Sequence, residues 1–146
     1  MLEERVEIVI VEDSQSDIEL ILRVLKKHNL ANRLVMLKDG AEACDYLFAE
    51  GQYAGRVGSE APKVILLDLK LPKVDGLEVL RRLKSDARTK TIPVVVLTAS
   101  AESRDLEEAY ALGANSYVIK PIQFSDFAKV VSDLGLYWMM VNRPPA

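Results

Sequence analysis

The sequence predicts an α/β fold: a doubly wound, parallel five-stranded sheet built as (βα)5. Three observations point there. Short β-branched runs alternate with longer stretches of helical spacing. The first, third and fourth runs are almost unbroken apolar, as parallel strands covered on both faces must be. Acidic or hydroxyl residues at capping spacing stand where helices should begin.

In chain order, VEIVIVED (6–13) is the first strand. Ile18, Ile21, Leu22 and Leu25 recur at i, i+3, i+4 and i+7 and place the first helix, with Ser16 and Glu19 as its capping box. His28 follows Lys26 and Lys27 at its end, where cations complement the helix dipole and a solvated cap is expected. NRLVMLKD (32–39) is the second strand, and Asp39 with Glu42 starts a helix whose apolar stripe is Ala41, Cys44, Leu47 and Phe48. EGQYAGRVGSEAP (50–62) reads as a Gly-rich surface loop. KVILLD (63–68) is the third strand, and Asp75 with Glu78 opens a helix marked by Leu77, Leu80 and Leu83. IPVVVLTA (92–99) is the fourth strand, followed by a helix through Leu106, Ala109 and Tyr110 that stops at Gly113. NSYVIKP (115–121) is the fifth strand, and Phe124, Phe127, Ala128 and Val131 mark the fifth helix.

At 146 residues the chain is expected to be a single domain over 1–146, with a core from about 5 to 134 and an apolar extension over 135–146. Nineteen basic against 22 acidic residues gives a net charge of −3, which weighs against a nucleic-acid surface. One cysteine excludes an intrachain disulfide and fits a reducing compartment. The N-terminus lacks the basic end and apolar core of a secretory signal, and no apolar run approaches the ~20 residues of a spanning helix. A soluble, cytoplasmic protein without membrane or nucleic-acid partners is expected.

Ligands of such sheets sit beyond the carboxyl ends of the strands, at the switch in strand order. In the common order 2-1-3-4-5, the strand ends bring together Glu12 and Asp13, Asp68, Thr98, and Lys120 with Pro121. Carboxylates crowded this way repel each other. An oxygen-preferring divalent cation such as Mg²⁺ resolves the conflict and leaves room for a phosphoryl oxygen. Lys120 suits a phosphate, Thr98 can donate a hydrogen bond, and Asp68 offers a nucleophilic carboxylate. The expected chemistry is therefore phosphoryl transfer to Asp68.

With these residues placed, the chain resembles the receiver domains of two-component response regulators, a flavodoxin-like fold. The resemblance rests on VEDSQSD, LLDLKLPKVDG, VVVLTAS and GANSYVIKP in order, and spans residues 5 to about 134. It implies Asp68 as acceptor of a phosphoryl group from a sensor histidine kinase. It implies Mg²⁺ ligation by Asp13, Asp68 and the Lys70 backbone carbonyl, with Glu12 acting through water. Thr98 and Lys120 match the switch hydroxyl and the phosphoryl-binding lysine, and Lys120–Pro121 matches a bond that is usually cis in the family. Tyr117 matches an aromatic switch residue, through which the fourth helix, fifth strand and fifth helix would change their surface for partners. Lys70 and Ser100 occupy positions that tune phosphoryl lifetime in the family. VEDSQSDIELI, AEACDYLF and LGLYWMMVNRPP resemble, more narrowly, single-domain receivers partnered with bacterial phytochromes.

The tail adds six consecutive apolar residues, Leu136 to Val141, more than one helix face can bury against its own sheet. Tyr137, Trp138, Met139 and Met140 are expected to form a partner surface, most simply in a homodimer, with the chain free to bend at Gly135. An aspartate-based phosphatase of the haloacid dehalogenase type is disfavoured, because it needs an acid where Lys70 stands. A flavin carrier is disfavoured by the acidic EDSQSD after the first strand. No DNA-binding domain is expected after the fifth helix. The remaining alternative is a receiver-like interaction domain that works without phosphorylation.

Overall fold

The computed structural model describes residues 6–121 and 123–144, so the ends of the expected 1–146 domain, including residue 5 of its core, lie outside the described residues. Five parallel strands, β1 (Ile8–Val11), β2 (Leu34–Leu37), β3 (Val64–Leu67), β4 (Val94–Thr98) and β5 (Ser116–Ile119), form one sheet in the order β2-β1-β3-β4-β5. Five helices connect and follow them: α1 (Gln15–Lys27), α2 (Gly40–Leu47), α3 (Gly76–Ser85), α4 (Ser103–Leu112) and α5 (Phe124–Leu136).

Strand alternation sorts the core into two layers. Val9, Val11, Ile65, Leu67, Val94 and Val96 point to one face, where Ala43, Cys44, Val79, Leu80, Leu83 and Ala109 of α2, α3 and α4 cover them. Ile8, Ile10, Val64, Leu66, Val95 and Leu97 point to the other, against Ile21 and Leu25 of α1 and Phe127 and Val131 of α5. The three central strands are buried along their whole length, which is why they read as continuous apolar runs, whereas β5 at the sheet edge is only half-covered. Cys44 belongs to this core, and burial pushes its thiol pKa up.

Register positions the carboxyl edge. Val11 lies beside Leu67 in the β1–β3 ladder, so Glu12 and Asp68 leave neighbouring strands at the same level. Thr98 closes β4 beside Ile119, and the Lys120 amide donates to the Thr98 carbonyl at 2.7 Å.

Helix starts follow the sequence unevenly. Asp39 caps α2 as expected, accepting from the Glu42 amide at 2.7 Å, and Gly113 ends α4 with a left-handed φ of 108°. The cap of α1, however, is Ser14 and not Ser16: Ser14 Oγ accepts from the Asp17 amide, and Ser16 already lies inside the helix. Asp75 occupies the cap position of α3 without a side-chain bond, and the Glu78 carboxylate, expected to reach back to it, pairs forward with Arg81 and Arg82 instead. Residues expected as an irregular loop contain a 3-10 helix, Gly51–Arg56, held by Tyr53 edge-on to Tyr46 and by Arg56 over the Tyr46 ring.

The tail also departs from expectation. α5 runs through Gly135 without a break; a side chain there would meet Leu25 Cδ2 at 2.7 Å, so the glycine lets α5 lie close on α1. The chain then widens into a π-helical turn, Tyr137–Val141. That turn has two sides. Met139 is buried in the protein's own core, so it is not available to a partner as expected, and Trp138 packs partly buried beside it. Leu136, Tyr137, Met140 and Val141 face outward. His28 is more than a solvated cap, since its Nε2 lies 2.8 Å from Ser132 Oγ and ties the end of α1 to α5.

Candidate functional site

The sequence sends carboxylates to the ends of β1 and β3, and the parallel register brings them together. Carboxylate oxygens of Glu12, Asp13 and Asp68 all lie within 4.8 Å of one another. Glu12 is fixed from below: its Oε2 accepts from the amides of Asp13 (3.1 Å) and Ser14 (3.2 Å), the residues that turn β1 into α1. Asp68 is buried, and its Oδ1 accepts from the Lys70 amide at 3.3 Å. Asp13 is the exposed member of the group.

Lys120 reaches this group from the far side of the sheet. Its Nζ donates to Glu12 Oε1 (2.5 Å), Asp17 Oδ2 (2.8 Å) and Asp68 Oδ2 (2.9 Å), which satisfies all three ammonium protons. Asp17, in the first turn of α1, is the site residue that sequence reasoning missed. It stands within the quoted VEDSQSD, and the signal was its place at a helix start beside the acidic strand end.

Three carboxylates thus bond one ammonium, and a fourth, Asp13, lies in the same acidic group. Burial pushes Glu12 up to about 7, although the bond from Lys120 works against it, and the charge of Asp68 adds to the rise. Burial alone would pull the Lys120 ammonium down, but the bonds to Asp17, Glu12 and Asp68 outweigh it and hold the pKa above the usual lysine value. The site is short of positive charge. Its donor set is all oxygen, which fits a hard divalent cation.

Thr98 is fully buried at the end of β4, with Oγ1 accepting weakly from the Ser100 amide at 3.4 Å. Ser100 is a junction: its Oγ donates to Asp105 Oδ2 in the first turn of α4 (2.5 Å), and its carbonyl accepts from the Tyr117 hydroxyl (3.0 Å). Lys70 is exposed. Among the described residues no peptide bond is cis, so Lys120–Pro121 is trans, against expectation. A trans X–Pro bond is favoured by roughly 0.5–1 kcal/mol, and Lys120 reaches Asp68 from it. Tyr137, Trp138, Met139 and Met140 belong to the π-helical turn after α5 and take no part in this cluster.

This arrangement of acids, hydroxyl and lysine coincides with a family match: the model of the response regulator receiver domain aligns with residues 8–132. The chain belongs to the receiver domain family. As a receiver it has the strand order 2-1-3-4-5 of its structural relatives. It is 43% identical over 139 residues to the probable methanogenesis regulatory protein FilR2 of Methanothrix harundinacea, covering 94% of this chain and 86% of that one. It is 40% identical over 139 residues to response regulator Rcp1 of Synechocystis sp., covering 95% and 92%. The crystal structure of Mn²⁺-bound Rcp1 matches with a TM-score of 0.88 over 95% of this chain and 98% of that one. The phosphorylated cyanobacterial phytochrome response regulator RcpA matches at 39% identity and a TM-score of 0.89, over 97% and 99%. Receivers are signalling proteins of two-component systems, not general catalysts. The acidic cluster of this receiver is of the divalent-cation type. Among the described residues no helix is long and apolar enough to cross a membrane.

Proposed function

We propose that this receiver is a phosphorylation-driven switch in which Asp68 accepts a phosphoryl group from a sensor histidine kinase. The observation that carries the proposal is the meeting of Lys120 Nζ with both Asp68 and Glu12 at the carboxyl edge of the sheet, beside buried Thr98. Asp68 is the one buried aspartate of that cluster, held by the Lys70 amide on Oδ1. An Asp68 oxygen attacks phosphorus, an O–P bond forms, the N–P bond of the phosphohistidine breaks, and the imidazole nitrogen keeps the electron pair. Lys120, already on Asp68 Oδ2, carries charge to the incoming phosphoryl oxygens, and the Thr98 hydroxyl would donate to them.

Asp13, Asp68 and the Lys70 carbonyl would hold Mg²⁺, with Glu12 acting through water, and the ion would offset the phosphoryl charge. When Thr98 turns toward the phosphoryl group, its contact with the Ser100 amide is lost, and Ser100 is the residue that touches both Tyr117 and α4. The surface of α4, β5 and α5 is the one this would alter, and exposed Leu106, Tyr110 and Ile119 lie on it. The kinase is of the phytochrome class, a reading supported by the likeness to RcpA. The outward side of the tail, Leu136, Tyr137, Met140 and Val141, supports a homodimer.

The test is intact mass after incubation with a small-molecule acyl phosphate, with and without Mg²⁺. One phosphoryl adduct that requires Mg²⁺ and disappears in Asp68→Asn supports the reading. No adduct on a folded protein would leave the phosphorylation-independent interaction domain in its place.

A further inference from the structure

We propose that the loop between β3 and α3 is preorganised for cation binding by the start of α2, with Gly40 and Lys73 as positioning residues. The inference rests on the receiver reading above, in which Asp68 and the Lys70 carbonyl face a divalent cation.

The loop leaves the sheet at Asp68 and returns at Gly76. Its base is pinned: the Gly76 amide donates to the Leu69 carbonyl at 3.0 Å, and a Cβ on Gly76 would fall 2.3 Å from the Asp68 carbonyl oxygen. Its tip is pinned separately, by a neighbouring element. The Gly40 amide, first in α2, donates to the Pro72 carbonyl at 3.1 Å. A Cβ on Gly40 would fall 1.8 Å from the Val74 carbonyl oxygen, so only glycine lets α2 touch the loop there. Lys73 Nζ lies 3.5 Å from Asp39 Oδ2, on the carboxylate whose other oxygen caps α2. Lys70 lies between the fixed base and the fixed tip, with its amide on Asp68 Oδ1.

The tip is also strained. The Pro72 carbonyl accepts from the Val74 amide at 2.8 Å, and Lys73 between them has a φ of 66°. A three-residue turn with positive φ at its centre is rare and unfavourable for a residue with a side chain. Such conformations persist where surrounding contacts over-determine them, and they concentrate at functional positions. Here the contacts that hold the strain come from Gly40 and Asp39. Their effect is to fix the path of the backbone that carries Lys70, before any ion arrives.

The experiment is Mn²⁺ titration calorimetry of the full chain, paired with thermal unfolding, on wild type, Gly40→Ala and Lys73→Gly. Amide hydrogen exchange at residues 70, 71, 73 and 74 is followed in the absence of metal. Lys73→Gly relieves the positive-φ strain and separates positioning from mere stability, which also covers the case in which Gly40→Ala folds poorly. The expected result is Mn²⁺ binding weakened at least tenfold, the scale of lost outer-shell support. Exchange at these residues should be faster, while the Tm of Lys73→Gly is no lower than that of wild type. Affinity of Lys73→Gly within twofold of wild type would overturn the inference, even if Gly40→Ala lost both binding and Tm. No saturable binding by the wild type would overturn the cation reading of the site and the inference with it.

Discussion

Removing the Lys120 ammonium would leave Glu12, Asp17 and Asp68 facing one another across a buried gap. Breaking such a buried pairing costs roughly 3 kcal/mol or more, because the partners stay desolvated. Lys120→Met is therefore expected to lower Tm, and added divalent cation should restore more stability to it than to wild type; thermal denaturation with and without Mg²⁺ checks both. A second expectation concerns Lys70, exposed two residues beyond Asp68. Its side chain can reach toward the phosphoryl group and restrict attacking water, so Lys70→Asn should change the dephosphorylation rate, read by the decay of the phosphoryl adduct. At this scale the sequence was informative wherever a polar residue ended an apolar run, as Asp68 and Thr98 do. It marked Asp17 only weakly, because an acid in the first turn of a helix is ordinary there, and only the position of Lys120 gives it a partner. The left-handed backbone of Lys73 was equally hidden, since positive φ is expected of glycine.

Two glycines separate backbone contacts from side-chain contacts at the scale of elements. A Cβ on Gly76 meets the Asp68 carbonyl and the Leu69 backbone, neither of which can move without dragging the site. A Cβ on Gly135 meets only the methyl ends of Leu25 and Leu30, which can turn aside. Gly76→Ala should thus cost about 3 kcal/mol, the upper end for overpacking. Gly135→Ala should cost about 1 kcal/mol or less, because helix propensity returns roughly 1 kcal/mol. Chemical denaturation of both variants checks the order. Element order, sheet topology and most boundaries were legible, since periodicity and strand burial write them directly. The cap of α1 was misplaced by two residues because Ser14 and Ser16 have the same chemistry, and only the Asp17 amide distinguishes them. Gly135 was read as a bend because sequence records the cost of a helical glycine but not the approach of α1 that repays it.

For the whole molecule, the tail shows where a sequence pattern underdetermines packing. Six apolar residues in a row said that two surfaces were needed, and the π-helical turn supplies one inside and one outside. The outward residues should make the protein dimeric at micromolar concentration, and Met140→Glu with Val141→Glu should leave a monomer by light scattering without loss of Tm, since both are exposed. The central claim is that one carboxylate among four is the acceptor. It is tested most directly by treating the phosphorylated protein with borohydride, which reduces an acyl phosphate to the alcohol, and locating the reduced residue by peptide mass. The account predicts conversion at Asp68 alone. Conversion at Glu12, Asp13 or Asp17, or none in a protein that carries the adduct, would contradict it.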